Sequence, residues 1–221
     1  MKNKYLIILS FFLSVTVFSQ KKEFVDVNID KLIGETQMSN SSGEIEVIWW
    51  IPTEFWQVAL SRDRAIADNE KELMINTLKE YVFVVFIKGK VGVFGGVTYV
   101  NKELIEQNAT VFYNGNRLKK LKNEEIPSDL QNMVGFMKPM MKNMLGQMGE
   151  NMQFIVFKNN ENSVIDPYKE GNLTFNLFKF KPEIELPLGS LLMEKKCVEG
   201  NKLFNGKWNY CPYHGKGLVK Q

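Results

Sequence analysis

The sequence predicts an α+β fold: a mixed or antiparallel sheet packed by an amphipathic, Met-rich helix, with a small Cys-containing hairpin at the C-terminus. Three observations predict it. β-rich runs bounded by Gly, Pro and Asn-Gly signals recur along the chain. One segment, Ser128 to Glu150, carries an apolar stripe at helical spacing. Both cysteines and the single histidine fall in the last 25 residues.

The N-terminus reads as a secretory leader. Lys2 and Lys4 precede an apolar run of 14 residues from Tyr5 to Phe18, and Val17-Phe18-Ser19 places a small residue before Gln20. A bilayer-crossing helix needs about 18 to 20 apolar residues, so cleavage near Ser19 is expected rather than an anchor. The expected organisation is a signal peptide over 1–19, an α+β domain over 20–190 and a Cys/His hairpin tail over 191–221. The expected location is periplasmic or extracellular, with no transmembrane segment after cleavage.

The body is read in chain order. Glu23 to Ile29 alternates weakly and reads as a strand; Gly34 to Gly43 is polar and reads as a loop. Glu44 to Ile51 begins with period-2 alternation and ends wholly apolar, a strand entering the core. Pro52 closes it, a short helix follows over Thr53 to Leu60, and Asp68 to Glu80 suits a surface helix. Tyr81 to Ile87 and Val91 to Val100 read as a hairpin turning at Lys88-Gly89-Lys90, with Gly95-Gly96 marking a bulge. Ala109 to Tyr113 and Arg117 to Leu121 flank an Asn114-Gly115 turn signal. Further strands are expected at Met152 to Phe157, Leu173 to Phe180 and Glu183 to Leu186. In the long helix, Ser128 to Gln131 has the form of a capping box, and Pro139 is expected to kink it.

Composition excludes several functions. The 221 residues are 44% hydrophobic and 24% charged, an ordinary globular balance. Lys+Arg 28 against Asp+Glu 25 is too even for a nucleic-acid binder recognised by charge. A lone His214 rules out a three-His zinc site.

Three features carry candidate chemistry. Seven of the 11 methionines lie between Met133 and Met152. Met133, Met137, Met140, Met141, Met144 and Met148 share one helix face. That face reads as sheet-packing core, as a groove for an apolar ligand or protein partner (Met137, Met141, Met144), or as a soft copper site. Trp49, Trp50, Phe55 and Trp56 form an aromatic cluster around Glu54. It reads as a core plug, with Trp49 and Trp50 on opposite faces, or as a ligand platform formed by Trp49, Trp50 and Trp56. A carboxylate glycan hydrolase there needs a second carboxylate, and Asp63, Asp68 and Glu70 are nearby in sequence. In the tail, Asn205-Gly206 is a hairpin signal that would bring Cys197 and Cys211 together.

Cys211-Pro212-Tyr213-His214-Gly215 resembles one knuckle of a zinc ribbon, and Cys197-Val198-Glu199-Gly200 a degenerate partner to it. The metal set this implies is Cys197, Glu199, Cys211 and His214. An iron–sulfur reading fails because Glu199 stands where that motif needs a histidine. Outside the cytosol the same two cysteines are expected to form a disulfide, Cys197 to Cys211, which excludes zinc at those sulfurs.

The leader, the Ile48-Trp49-Trp50-Ile51-Pro52 segment, Phe94-Gly95-Gly96-Val97-Thr98-Tyr99 and the Cys-Pro-Tyr-His-Gly tail together resemble a family of exported proteins of flavobacteria-type bacteria. The resemblance implies export and carries no activity or site residue with it. The leading expectation is a non-enzymatic exported binding or accessory protein without a cofactor. The alternatives are a metal-binding protein, with zinc at the tail or copper at the helix, and a glycan hydrolase.

Overall fold

A continuous apolar run such as Tyr81 to Ile87 can sit in a sheet only if both faces of the strand are covered. The computed structural model meets that condition. It describes residues 21–41, 43–159 and 164–220; the leader expected over 1–19 lies outside the described residues. In chain order these form α1 (Ile29–Thr36), β1 (Gln37–Asn40), β2 (Glu44–Ile51), α2 (Thr53–Ser61), α3 (Asp68–Leu78), β3 (Tyr81–Val91), β4 (Val97–Tyr99), α4 (Lys102–Asn108), β5 (Ala109–Tyr113), β6 (Asn116–Arg117), β7 (Lys119–Lys120), α5 (Ser128–Leu145), α6 (Gln147–Glu150), β8 (Gln153–Lys158), β9 (Gly171–Leu177), β10 (Glu183–Leu186), β11 (Lys195–Lys196), β12 (Leu203–Phe204) and β13 (Val219–Lys220). The fold is α+β, and the strand pairs among the described residues are antiparallel.

The main sheet has the order β1-β2-β3-β8-β7, with β4 on β3 beyond the end of β8. Alternate residues of its central strands face two different cores. Ile48, Trp50, Val84, Phe86, Ile155 and Phe157 pack with the second sheet, β10-β9-β5-β6, through Val111, Leu173 and Phe175. Val47, Trp49, Phe83, Val85, Ile87 and Val156 face α3 and α5 through Ile75, Leu78, Leu130, Met137 and Met141. The result is a helix layer, a sheet buried on both faces and a second sheet. No helix among the described residues is long and apolar enough to cross a membrane.

Several local expectations are corrected. Glu23 to Ile29 is not a strand: Phe24–Asp26 is a 3-10 turn, and α1 then starts with the Asn28 side chain accepting from Lys31 N–H. The Gly34 to Gly43 loop is mostly the end of α1 and strand β1. Lys88-Gly89-Lys90 is not a turn, because β3 runs through it to Val91. Lys88 there bonds Glu44 at 2.5 Å and the buried Glu46 at 2.6 Å. The turn lies at Gly92–Gly96, so Gly95-Gly96 closes the hairpin and is not a bulge; Gly95 has φ 84°. α4 was not expected. Asn114-Gly115 is the turn its sequence predicts, both residues having positive φ. The chain then changes sheets, so that β7 pairs with β8 rather than continuing beside β5.

Ser128 caps nothing. Pro127 holds the cap position, and the Gln131 amide turns back to donate to the carbonyls of Asn123 and Ile126 at 3.0 and 2.8 Å. The helix carries Pro139 in its interior, runs on to Leu145 and ends at Gly146, whose φ of 59° and ψ of −132° suit glycine. α6 then folds back onto α5. A Cβ on Gly149 would lie 1.9 Å from the Met141 carbonyl oxygen, a backbone atom that cannot swing aside.

Gly149→Ala is therefore expected to destabilise the protein by about 1 to 3 kcal/mol, the usual cost of overpacking. Urea unfolding measures it, and an unchanged midpoint would refute the close helix contact.

Candidate metal centre

The tail builds a small three-stranded sheet, β12-β11-β13, from strands too short to stand alone. Polar ties to the body hold it. Both carboxylate oxygens of Glu35 accept from the N–H groups of Gly189 and Ser190, at 3.1 and 2.9 Å, and Lys22 N–H donates to the Leu191 carbonyl. Within the tail, the buried Lys195 ammonium donates to the Trp208 carbonyl and to Asn209 Oδ1, both at 3.0 Å.

Two six-residue turns protrude from this sheet, and their backbones close in the same way. Cys197 N–H donates to the Lys202 carbonyl and Asn201 N–H to the Cys197 carbonyl, each at 2.9 Å. Cys211 N–H donates to the Lys216 carbonyl at 2.8 Å and Gly215 N–H to the Cys211 carbonyl at 2.9 Å. Asn201 and Gly215 occupy the matching left-handed positions, φ 55° and 63°. The expected hairpin turn at Asn205-Gly206 is corrected: β11 turns into β12 through the first of these turns, and Asn205 instead makes a local Asx turn, accepting from Lys207 N–H.

The turns bring two sulfurs and an imidazole together. His214 Nδ1 lies 3.2 Å from Cys197 Sγ and 3.5 Å from Cys211 Sγ, and the three donor atoms fall within 4.8 Å of one another. Tetrahedral zinc, with Zn–S near 2.3 Å and Zn–N near 2.0 to 2.1 Å, separates adjacent S and N donors by about 3.5 Å. The donor set and spacing fit such an ion. Both cysteines are free and buried.

The sulfurs receive backbone donors. Gly200 N–H donates to Cys197 Sγ at 3.5 Å. Desolvation works to raise the Cys211 thiol, but the N–H groups of Tyr213 and His214 and the contact with Cys197 outweigh it and hold the thiol below its ordinary range. Glu199 stands apart from the set: its carboxylate is about half exposed and 4.0 Å from the Lys216 ammonium. Its expected place as a fourth ligand is not realised. The signal for the paired turns was present in the ungapped match of Cys197-Val198-Glu199-Gly200-Asn201-Lys202 to Cys211-Pro212-Tyr213-His214-Gly215-Lys216.

The other candidates lie elsewhere. Trp49 and Trp50 are buried in opposite cores, and Phe55 packs edge-on against Trp49 and Trp56 at 5.5 Å. Met137 and Met141 are buried against the sheet, whereas Met140 and Met144 are 48% and 69% exposed. Glu54 lines a cavity of about 120 Å³ with Trp50, Lys79 and Tyr81. The carboxylate whose charge reaches it is Asp166, while Asp63, Asp68 and Glu70 are exposed. Comparison of the chain with protein-family models, curated proteins and solved structures finds no significant match.

Burial, with a smaller push from Asp166, raises Glu54 from 4.5 to about 7. The folded state thus holds this proton more tightly than the unfolded chain. Its contribution to stability is complete below pH 4.5 and is lost as pH rises to about 7, a change of about 3 kcal/mol. Glu54→Gln should be more stable than the parent by that amount at pH 8 and equal to it at pH 4. Parallel stability–pH curves for the two proteins would refute the assignment.

Proposed function

We propose that this chain is an exported, non-enzymatic accessory protein whose C-terminal ribbon is a zinc centre held by Cys197, Cys211 and His214. One observation carries the reading: two thiols and one imidazole converge at tetrahedral spacing on two turns of the same backbone form. Such turns direct N–H groups at sulfur and so favour thiolates, the form that binds zinc. Two thiolates neutralise a divalent ion, and a mixed sulfur and imidazole set suits zinc better than calcium or magnesium. The role is conformational. The ion would join the two turns of a sheet whose strands are only two residues long, and metal binding there would be folding energy. Export follows from the leader motif, and the ion would protect the thiols from oxidation outside the cell.

The protein purified with reductant and without chelator should contain one zinc per chain by elemental analysis. Cys197→Ser, Cys211→Ser and His214→Ala should each weaken zinc by more than the roughly 10- to 100-fold typical of outer-shell substitutions. Metal-free protein carrying a quantitative Cys197–Cys211 disulfide, under conditions where added zinc is not taken up, would overturn the reading.

A further inference from the structure

We infer that the zinc centre is coordinatively open and that its fourth position takes a thiolate from outside the chain. This rests on the proposed metal site. In the second turn the ligands stand at positions one and four, Cys211 and His214; in the first turn position one is Cys197 and position four is Gly200. The backbone that would present a fourth ligand is intact, with the Cys197–Lys202 and Asn201–Cys197 hydrogen bonds in place, yet the residue there has no side chain.

Gly200 is also what lets His214 reach across. A Cβ at Gly200 would lie 2.8 Å from His214 Cε1 and 3.9 Å from Cys197 Sγ. The imidazole therefore occupies space that any other residue at this position would claim. The nearest acidic candidate, Glu199, faces Lys216, and the group of converging Cys, His and carboxylate donors among the described residues has three members.

The surroundings select the donor. Two sulfurs already hold the ion, and an ion so held prefers a soft donor as its added ligand. Exposed Val198 and Tyr213, one on each turn, flank the centre and offer apolar contact to the carrier of that thiol. On binding, the thiol gives its proton to solvent, its sulfur bonds the metal and one water leaves; no electron is transferred.

Cobalt(II) reports each step. The cobalt-loaded protein should show sulfur-to-metal charge transfer that is lost in Cys197→Ser. Titration with 2-mercaptoethanol, and separately with a short cysteine peptide, should intensify that band saturably to a 1:1 end point, whereas an alcohol of the same size should not. Peptide binding ten or more times tighter than 2-mercaptoethanol identifies a protein side chain as the source; equal affinity identifies a free thiol. X-ray absorption of the zinc form of the parent protein should count two sulfurs before thiol and three after. Glu199→Gln should respond like the parent. A cysteine-dependent cobalt spectrum that no thiol alters, or a thiol response that emerges only in Glu199→Gln, overturns this inference and leaves the metal centre standing. Absence of any cysteine-dependent cobalt spectrum overturns both.

Discussion

Everything in the body depends on hiding both faces of β3. Val82, Val84 and Phe86 point one way and Phe83, Val85 and Ile87 the other, all nearly inaccessible to water. A strand of this kind cannot sit at an edge or under one layer. It recruits β2 and β8 as neighbours, the second sheet as one cover, and α3 with α5 as the other. At about 25 cal/mol per Å² of apolar surface removed from water, these six side chains contribute more than any polar contact nearby. The Lys88 pairs with Glu44 and Glu46 act on register rather than bulk stability. A one-residue slip of β3 on β2 would separate them and exchange the two apolar faces.

The same constraint places the tail. The second sheet ends at β10, and the chain leaves it over Leu188 and Leu191, both buried in the core shared by the sheets. Glu35, at the end of α1, meets the N–H groups of that exit segment, so the start of the chain and the root of the tail are fastened at one point. Lys207 returns to the Glu185 carbonyl of β10 at 2.9 Å. Beyond these ties the tail has little apolar interior. Its large side chains, Trp208, Tyr210 and Tyr213, are 46% to 71% exposed, and Phe204 and Trp208 stack at its surface. A segment this small, with this little burial, is the kind that a metal or a cross-link stabilises.

The strands were legible where one rule governed the residue. Apolar periodicity located β2, β3, β8 and β10, and Asn114-Gly115 fixed its own turn. Errors fell where two rules competed. Lys88-Gly89-Lys90 has turn composition, but cross-strand carboxylates on β2 hold it extended. Ser128 followed by Gln131 matches a cap, yet Pro127 occupies the position. At the site, three of the four expected ligands were visible because cysteine and histidine announce themselves. Glu199 was included for want of a fourth donor. In the sequence the equivalence of the two turns shows only as Cys and Lys at matching ends, Cys197 with Lys202 and Cys211 with Lys216, and it becomes plain in the backbone hydrogen bonds that join those residues.

Disulfide and metal make different demands on the same sulfurs. A disulfide sulfur is neutral and gains little from an N–H donor, whereas a thiolate gains a great deal. Gly200 N–H at Cys197, and the Tyr213 and His214 N–H groups at Cys211, are arranged for charge on sulfur. His214 adds to the distinction. A cross-link needs only the two cysteines and would leave the imidazole without a function, yet the ring is carried in between them with Nδ1 toward both sulfurs. Gly200 is the residue that allows that approach. Three groups from two separate turns thus share one focus.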